Sequence, residues 1–348
     1  MKILLLASDA YGGHGGIALF NRELCAALAA HEVTVLPRVM QHEPENVPQH
    51  VTFLAEAAGG NLPYARAVAG LRRQRFDLVI CGHINLLPAA CALARAPLLV
   101  AHGIEAWQPP RGALARRLVQ RCRGVVAVSG VTRDRFVEWS GFRGATYVLP
   151  NAVHLEQYGI RPRRDDLAER YGVAGKRVLL TVGRLDADER SKGFDQVIAV
   201  LPELPDDVVY LIAGGGADAS RLQQLAFDGG VARRVFFTGL FAERDKPDLY
   251  NLADVYVMPS RGEGFGFVFL EALACGLPVI GSSIDGGREA LLGGELGTLV
   301  EPSDRDALRA AIVAALQQPR AIPPRLSYFS FENFAARANE VIRSAAAT

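Results

Sequence analysis

Apolar residues in the first half of the chain fall into short unbroken runs: Ile3–Ala7, Val33–Leu36, Val51–Leu54, Leu78–Cys81, Leu98–Ala101, Val125–Val128 and Tyr147–Leu149. Runs of this length bounded by polar or glycine positions predict buried strands. Between them, Gly16–Ala29, Leu62–Arg75, Leu114–Arg121 and Val131–Trp139 carry apolar positions at helical spacing. The pattern then restarts, with strands expected at Val178–Val182, Val208–Ala213, Val235–Thr238, Val255–Met258, Val279–Gly281 and Thr298–Val300. Such alternation predicts α/β architecture with two doubly wound, mainly parallel sheets. The junction falls in the polar, proline-flanked stretch from Pro150-Asn151 to Arg163-Arg164. Past Pro323-Pro324, Phe331–Ala346 reads as a helix with no strand behind it, expected to pack back across the junction. The expected divisions are 1–155, 156–326 and 327–348. Ligands of open α/β sheets bind beyond the carboxyl ends of the strands, so two facing domains are expected to hold the site in a cleft between them.

Composition sharpens the division. At 348 residues, half of them hydrophobic, the chain is too long for one comfortable core. Residues 1–150 hold sixteen Lys and Arg against ten Asp and Glu; residues 151–348 hold twenty-two against twenty-seven. All seven histidines lie at or before His154. The near-neutral total, with basic residues not interleaved with aromatics, argues against a general nucleic-acid binder. Five cysteines without C-x-x-C spacing, with Cys25, Cys81 and Cys275 inside apolar runs, predict reduced thiols in a cytoplasmic protein. The apolar run after Lys2 is too short for a signal peptide. The longer stretch Ile84–Ala101 is interrupted by Asn85, Pro88, Arg95 and Pro97, so any membrane contact is expected to be peripheral.

Three places carry candidate chemistry. The first strand runs into Tyr11-Gly12-Gly13-His14-Gly15-Gly16 and then a helix, where glycines and free N–H groups suit a phosphate. The spacing is not G-x-G-x-x-G, and the second strand ends Leu36-Pro37-Arg38 with no acid for a ribose, which argues against a dinucleotide. A glycine-rich turn with no ligand is the plainer alternative. In the second half, Gly183-Arg184 closes a strand and Lys192-Gly193 precedes a helix. Two such cations can neutralise a diphosphate, or be solvated surface charges. Further on, Arg261-Gly262-Glu263-Gly264-Phe265-Gly266-Phe267 follows a strand and opens a helix that carries Glu271. If the segment is helical throughout, eight residues span ~12 Å. That exceeds the roughly 5 Å of a retaining glycosidase pair, so the two glutamates are expected to hold different parts of one ligand, unless Glu271 merely faces solvent.

Here the chain resembles the retaining GT-B glycosyltransferases of family 4 (glycosyl transferases group 1), whose E-x7-E motif has the form EGFGxxxxEA; Glu263 and Glu271 match it. The resemblance runs through Gly15-Gly16, His102-Gly103, Pro150-Asn151, Gly183-Arg184, Lys192-Gly193 and Phe331-Glu332. It implies that Arg184 and Lys192 grip the donor diphosphate. Gly15, Gly16 and the Gly264-Phe265-Gly266 loop at the second helix start would border the nucleotide sugar, and Glu271 would bond the ribose hydroxyls. Glu263 would touch the donor sugar, His102 would sit beside that sugar, and Gly239-Leu240 would meet the base. For His102, a strand-end residue bonded to backbone is the alternative. The loop between Arg184 and Lys192 is a residue or two longer than the common family spacing, so Arg190 could replace one of the pair. Where the linker commonly reads PNGVD, this chain has Pro150-Asn151-Ala152-Val153-His154.

Asp186-x-Asp188 mimics a metal motif, but the adjacent cations already supply positive charge, so no metal and no cofactor is expected beyond a UDP- or GDP-sugar donor. The resemblance implies transfer with retention, and a front-face substitution is expected because no carboxylate is placed as a nucleophile. The basic stretch Arg111, Arg116, Arg117, Arg121 and Arg123, interleaved with Leu114, Leu118 and Val119, suits an anionic membrane surface, or is a solvated face. Arg66, Arg72, Arg73 and Arg75 add to it. A glycan or lipid-linked glycan acceptor at the inner membrane face is the favoured reading. A GT-B epimerase of UDP-sugars and a non-catalytic sugar-nucleotide-binding protein are the competing ones.

Overall fold

Every one of the thirteen expected strands forms, its ends shifted by two residues at most. In the first half these are β1 (Lys2–Ala7), β2 (Glu32–Pro37), β3 (Val51–Phe53), β4 (Leu78–Cys81), β5 (Leu98–Ala101), β6 (Gly124–Ala127) and β7 (Ala145–Val148). In the second they are β8 (Arg177–Val182), β9 (Val208–Ala213), β10 (Val235–Phe237), β11 (Val255–Met258), β12 (Val279–Ser282) and β13 (Thr298–Val300). This computed structural model describes residues 1–110 and 113–347, the side chain of Asp188 excepted. Two compact units result: Met1–Ala152 with the closing helix Phe331–Ala347, and Val153–Ser330.

The first unit is a parallel sheet of order β3-β2-β1-β4-β5-β6-β7, the second a parallel sheet of order β10-β9-β8-β11-β12-β13. In each, the order reverses beside one strand, between β1 and β4 and between β8 and β11. Chains leaving those neighbours turn to opposite sides, which opens a crevice at the strand ends. The segments that follow β1 and β4 in one unit, and β8 and β11 in the other, therefore flank such a crevice.

Burial follows the apolar runs. Leu179, Tyr210, Ile212, Val255, Val257 and Ile280 form the heart of the second core; Leu4, Leu6, Val79, Leu99 and Val125 that of the first. The closing helix belongs to the first unit, where Phe334 meets Phe20 edge-to-face and the Asn339 amide donates to the Ala27 carbonyl at 2.8 Å. All five cysteines are free, and all but Cys91 are buried.

The basic stretch forms less helix than its spacing suggests. Arg111 lies outside the described residues, and the helix spans Ala113–Leu118 before a single 3-10 turn. Ala115 and Val119 face the core while Leu114, Arg116 and Arg117 are exposed. Arg121 and Arg123 are turned to structure instead, donating to the carbonyls of Arg95, Ala96 and Ala345. No helix among the described residues is long and apolar enough to cross a membrane.

Candidate active site

In the second unit, Arg184 leaves the end of β8 and Lys192 closes a 3-10 turn, Ala187–Lys192. Glu189 sits between them. Its carboxylate meets Arg184 Nη2 at 2.5 Å and Lys192 Nζ at 3.1 Å, and Lys192 Nζ meets Glu263 Oε2 at 3.2 Å on the far side. One chain of alternating charge thus joins β8 to the loop after β11. Arg184 is 71% exposed, whereas Lys192 is 16% exposed. Burial alone would lower the Lys192 pKa, yet Glu263 and Glu189 hold it above its ordinary value. Lys192 and Arg184 in turn overcome burial at Glu189 and keep its carboxyl below the usual range.

Arg190 does not join this chain. Its guanidinium is 2.7 Å from Asp218, which also receives Arg221, whereas Arg184 meets Glu189 and Lys192 meets both Glu189 and Glu263. Asp186 is partly buried and the side chain of Asp188 lies outside the described residues. Among the described residues no group of three His, Cys, Asp or Glu side chains is placed to hold a metal.

The Glu263 loop is not helical, since the helix starts only at Phe267, so the ~12 Å spacing for a continuous helix does not apply. Asp285, after β12, holds the loop instead. One carboxylate oxygen accepts from Ser260 Oγ at 2.7 Å and from the Glu263 N–H at 2.9 Å; the other accepts from the Gly287 N–H at 3.0 Å. The Gly286 N–H donates to the Glu263 carbonyl at 2.8 Å, an approach open only to glycine because a Cβ there would stand 1.9 Å from the Gly264 oxygen. Gly264, Phe265 and Gly266 are buried; the Phe265 ring packs on Phe329 with centroids 5.5 Å apart, so only its backbone can serve a ligand.

Burial, together with the neighbouring Glu263 charge, raises the Asp285 pKa to about 6 against the donors that bond it. The folded pKa exceeds the unfolded value of 3.8, so this group favours folding below about pH 4 and loses that contribution as pH rises through 6. The stability gap between wild type and D285N is therefore expected to shrink by up to about 3 kcal/mol from pH 4 to pH 7. Urea denaturation of both proteins across that window checks it, and a constant gap refutes it.

Glu271 is brought into the core rather than to solvent. It is 3% exposed, with Lys246 Nζ at 2.9 Å from one oxygen and Tyr250 Oη donating to the other at 2.6 Å. Lys246 and Tyr250 stand one turn apart on the helix Lys246–Leu252 and so face the same carboxylate. Burial alone would lower the Lys246 pKa, but Glu271 and Glu243 raise it.

Leu240 is 89% exposed on the loop after β10, and Gly239 forms a bridge to Gly214. A Cβ on Gly214 would lie 1.8 Å from the Gly183 oxygen, so glycine there lets this loop close on the strand end that carries Arg184. Glu189, Lys246, Tyr250, Asp285 and Gly214 were not singled out by sequence. The Gly214-Gly215-Gly216 run and the Asp285-Gly286-Gly287 turn, each just past an apolar strand, are the signals that could have found two of them.

In the first unit Gly15 and Gly16 are exposed at the start of the helix Gly16–Ala27. His102 follows β5, its ring edge-to-face with Phe20 at 5.0 Å and its Nε2 2.9 Å from the Gly82 carbonyl. A carbonyl only accepts, which assigns the proton to Nε2 and leaves Nδ1 as the acceptor. Burial pushes the His102 pKa down to about 4, so the ring is neutral at physiological pH. Glu105 fixes this corner by accepting from the N–H groups of His102 and Gly103.

The model of Glycosyltransferase Family 4 matches residues 14–157, and that of Glycosyl transferases group 1 matches residues 176–318. The chain belongs to glycosyltransferase family 4. Among relatives, it is 36% identical over 241 residues to the GDP-mannose-dependent alpha-(1-6)-phosphatidylinositol monomannoside mannosyltransferase of Mycolicibacterium smegmatis, covering 65% of this chain and 62% of that one. The match thus spans less than two thirds of that relative's length. It is 29% identical over 348 residues to the phosphatidyl-myo-inositol mannosyltransferase of the same organism, covering 91% and 85%. Anabaena HepE in complex with UDP and glucose shares the fold at TM-score 0.76 and 23% identity, over 99% of this chain and all of that one. The two parallel-sheet α/β domains are those of GT-B glycosyltransferases.

Proposed function

We propose that this family 4 glycosyltransferase moves a mannosyl residue from GDP-mannose to a phosphatidylinositol-type glycolipid, with retention and without a metal. The observation that carries the reading is the Arg184–Glu189–Lys192–Glu263 array, which places two cations at the end of β8 and a carboxylate at the neighbouring β11 loop. GDP-mannose and a phosphatidylinositol lipid are the donor and acceptor of the Mycolicibacterium smegmatis relatives. Arg184 and Lys192 would stabilise the diphosphate as the C1–O bond breaks, so charge develops against fixed positive groups. The acceptor oxygen would bond to C1 on the face being vacated while its proton passes to the departing phosphate oxygen.

Gly15, Gly16 and the start of the helix Phe267–Ala274 would add N–H donors to the phosphates. Glu263 and the neutral His102, through Nδ1, would contact sugar hydroxyls; Glu271, whose oxygens keep lone pairs beyond those already used, would receive the ribose. Leu240 would cover the base. The exposed Leu114, Arg116 and Arg117, with the exposed Arg66, Arg72, Arg73 and Arg75, would meet anionic lipid.

The test offers GDP-mannose or UDP-glucose, with EDTA, to the protein and phosphatidylinositol-containing vesicles. Mannose transfer from GDP-mannose that survives EDTA, yields an α-linked product and slows in neutral detergent micelles is expected. Turnover of UDP-glucose alone would move the donor to uridine nucleotides, and epimerised donor formed without acceptor would replace transfer by epimerisation.

A further inference from the structure

The charged array contains one carboxylate too many for a diphosphate site. Arg184 and Lys192 carry two positive charges, and Glu189 and Glu263 already balance them. A nucleoside-diphosphate sugar brings further negative charge onto the same two cations, and like charges within a few ångströms oppose each other. Glu263 is fixed: its N–H is held by Asp285, its carbonyl by Gly286, and its side chain meets Lys192 from the β11 loop. Glu189 is held only within its own turn, where its N–H donates to the Asp186 carbonyl at 2.9 Å. It stands on the short Ala187–Lys192 turn, 22% exposed, with exposed Ala187 and Arg190 as near neighbours. Its two oxygens are divided between the two cations, one facing Arg184 Nη2 and the other Lys192 Nζ.

We infer that the Glu189 carboxylate is a resident stand-in for a donor phosphate, holding Arg184 and Lys192 in place in the free protein and leaving them when a nucleoside diphosphate binds. This rests on the diphosphate reading of Arg184 and Lys192. The carboxylate pre-aligns two flexible cations that would otherwise repel each other, and sets the affinity for anything carrying the diphosphate, product as well as donor. Lys192 keeps Glu263 beside it throughout, and exchange of one anion for another leaves Arg184 facing a negative charge at each stage, which a bare pair of cations would not have.

The experiment is calorimetric titration of the full chain with GDP and, separately, with guanosine, for wild type, E189Q and K192A. Gln preserves the volume of Glu189 and one of its two accepting oxygens but removes its charge. E189Q is expected to bind GDP about tenfold more tightly, a margin set by one like-charge contact near the surface, while guanosine, which has no phosphate, binds E189Q and wild type equally. In turnover, the KM for the donor should fall together with kcat as the diphosphate product leaves more slowly. GDP binding that requires Lys192 but is unchanged or weaker in E189Q overturns the inference and leaves the diphosphate site standing. Guanosine and GDP weakened together in E189Q would make Glu189 a scaffold of the loop, also overturning it. GDP binding indifferent to K192A would remove the diphosphate reading and the inference with it.

Discussion

Lys192→Ala is expected to lower kcat/KM for the sugar nucleotide by about a thousandfold, the scale of losing one preorganised electrostatic contact to a developing anion. Lys192 is 16% exposed and lies between two carboxylates, so its charge acts at low local dielectric. Arg184, 71% exposed, is screened by water, and R184A is expected to lose less. Lys192→Arg should not restore activity, because a planar guanidinium cannot occupy the point between Glu189 Oε2 and Glu263 Oε2 that the ammonium fills at 3.1 and 3.2 Å. Steady-state kinetics on the three variants, with circular dichroism to establish folding, measure this. Folded K192A with wild-type turnover would sink the assignment.

Glu271→Ala should unfold the second unit more easily by about 3 kcal/mol, because removing one member of a buried pair strands the other. The stranded group is Lys246, 13% exposed, whose remaining partner Glu243 is 62% exposed and compensates in part. Tyr250, fully buried, loses the acceptor of its hydroxyl at the same time. Tyr250→Phe removes one hydrogen bond to a charged group and is expected to lose about 2 kcal/mol. Urea denaturation followed by tryptophan-independent far-UV signal gives both values. An E271A variant as stable as wild type would mean that the carboxylate is solvated rather than held by Lys246 and Tyr250.

These expectations divide along a physical line. Strands such as Leu78–Cys81 and Val208–Ala213 were legible because a run buried on both faces must be apolar throughout, and that requirement is local. Arg184 after a strand, and Lys192 and Glu263 just before helix starts, stand out in sequence by position, while the pairing of Glu263 with Glu271 stands out through the resemblance to the family motif; that a sugar nucleotide is held there is the proposal.

What tertiary structure alone decided is which charges meet. Lys192 reaches Glu263 across 71 positions because β8 and β11 are neighbours in the sheet, and Asp285 reaches the Glu263 N–H because β12 lies beside β11. Glu271 satisfies the helical spacing of either a surface or a buried residue, and only the packing of the Lys246–Leu252 helix against it turns the carboxylate inward. Arg190, Arg121 and Arg123 show the converse: cations that look available in one dimension are bonded to Asp218 or to carbonyls once the chain has folded. Strand and helix formation depend on neighbours in sequence, while the partner of a charge depends on the order in which distant strands lie side by side.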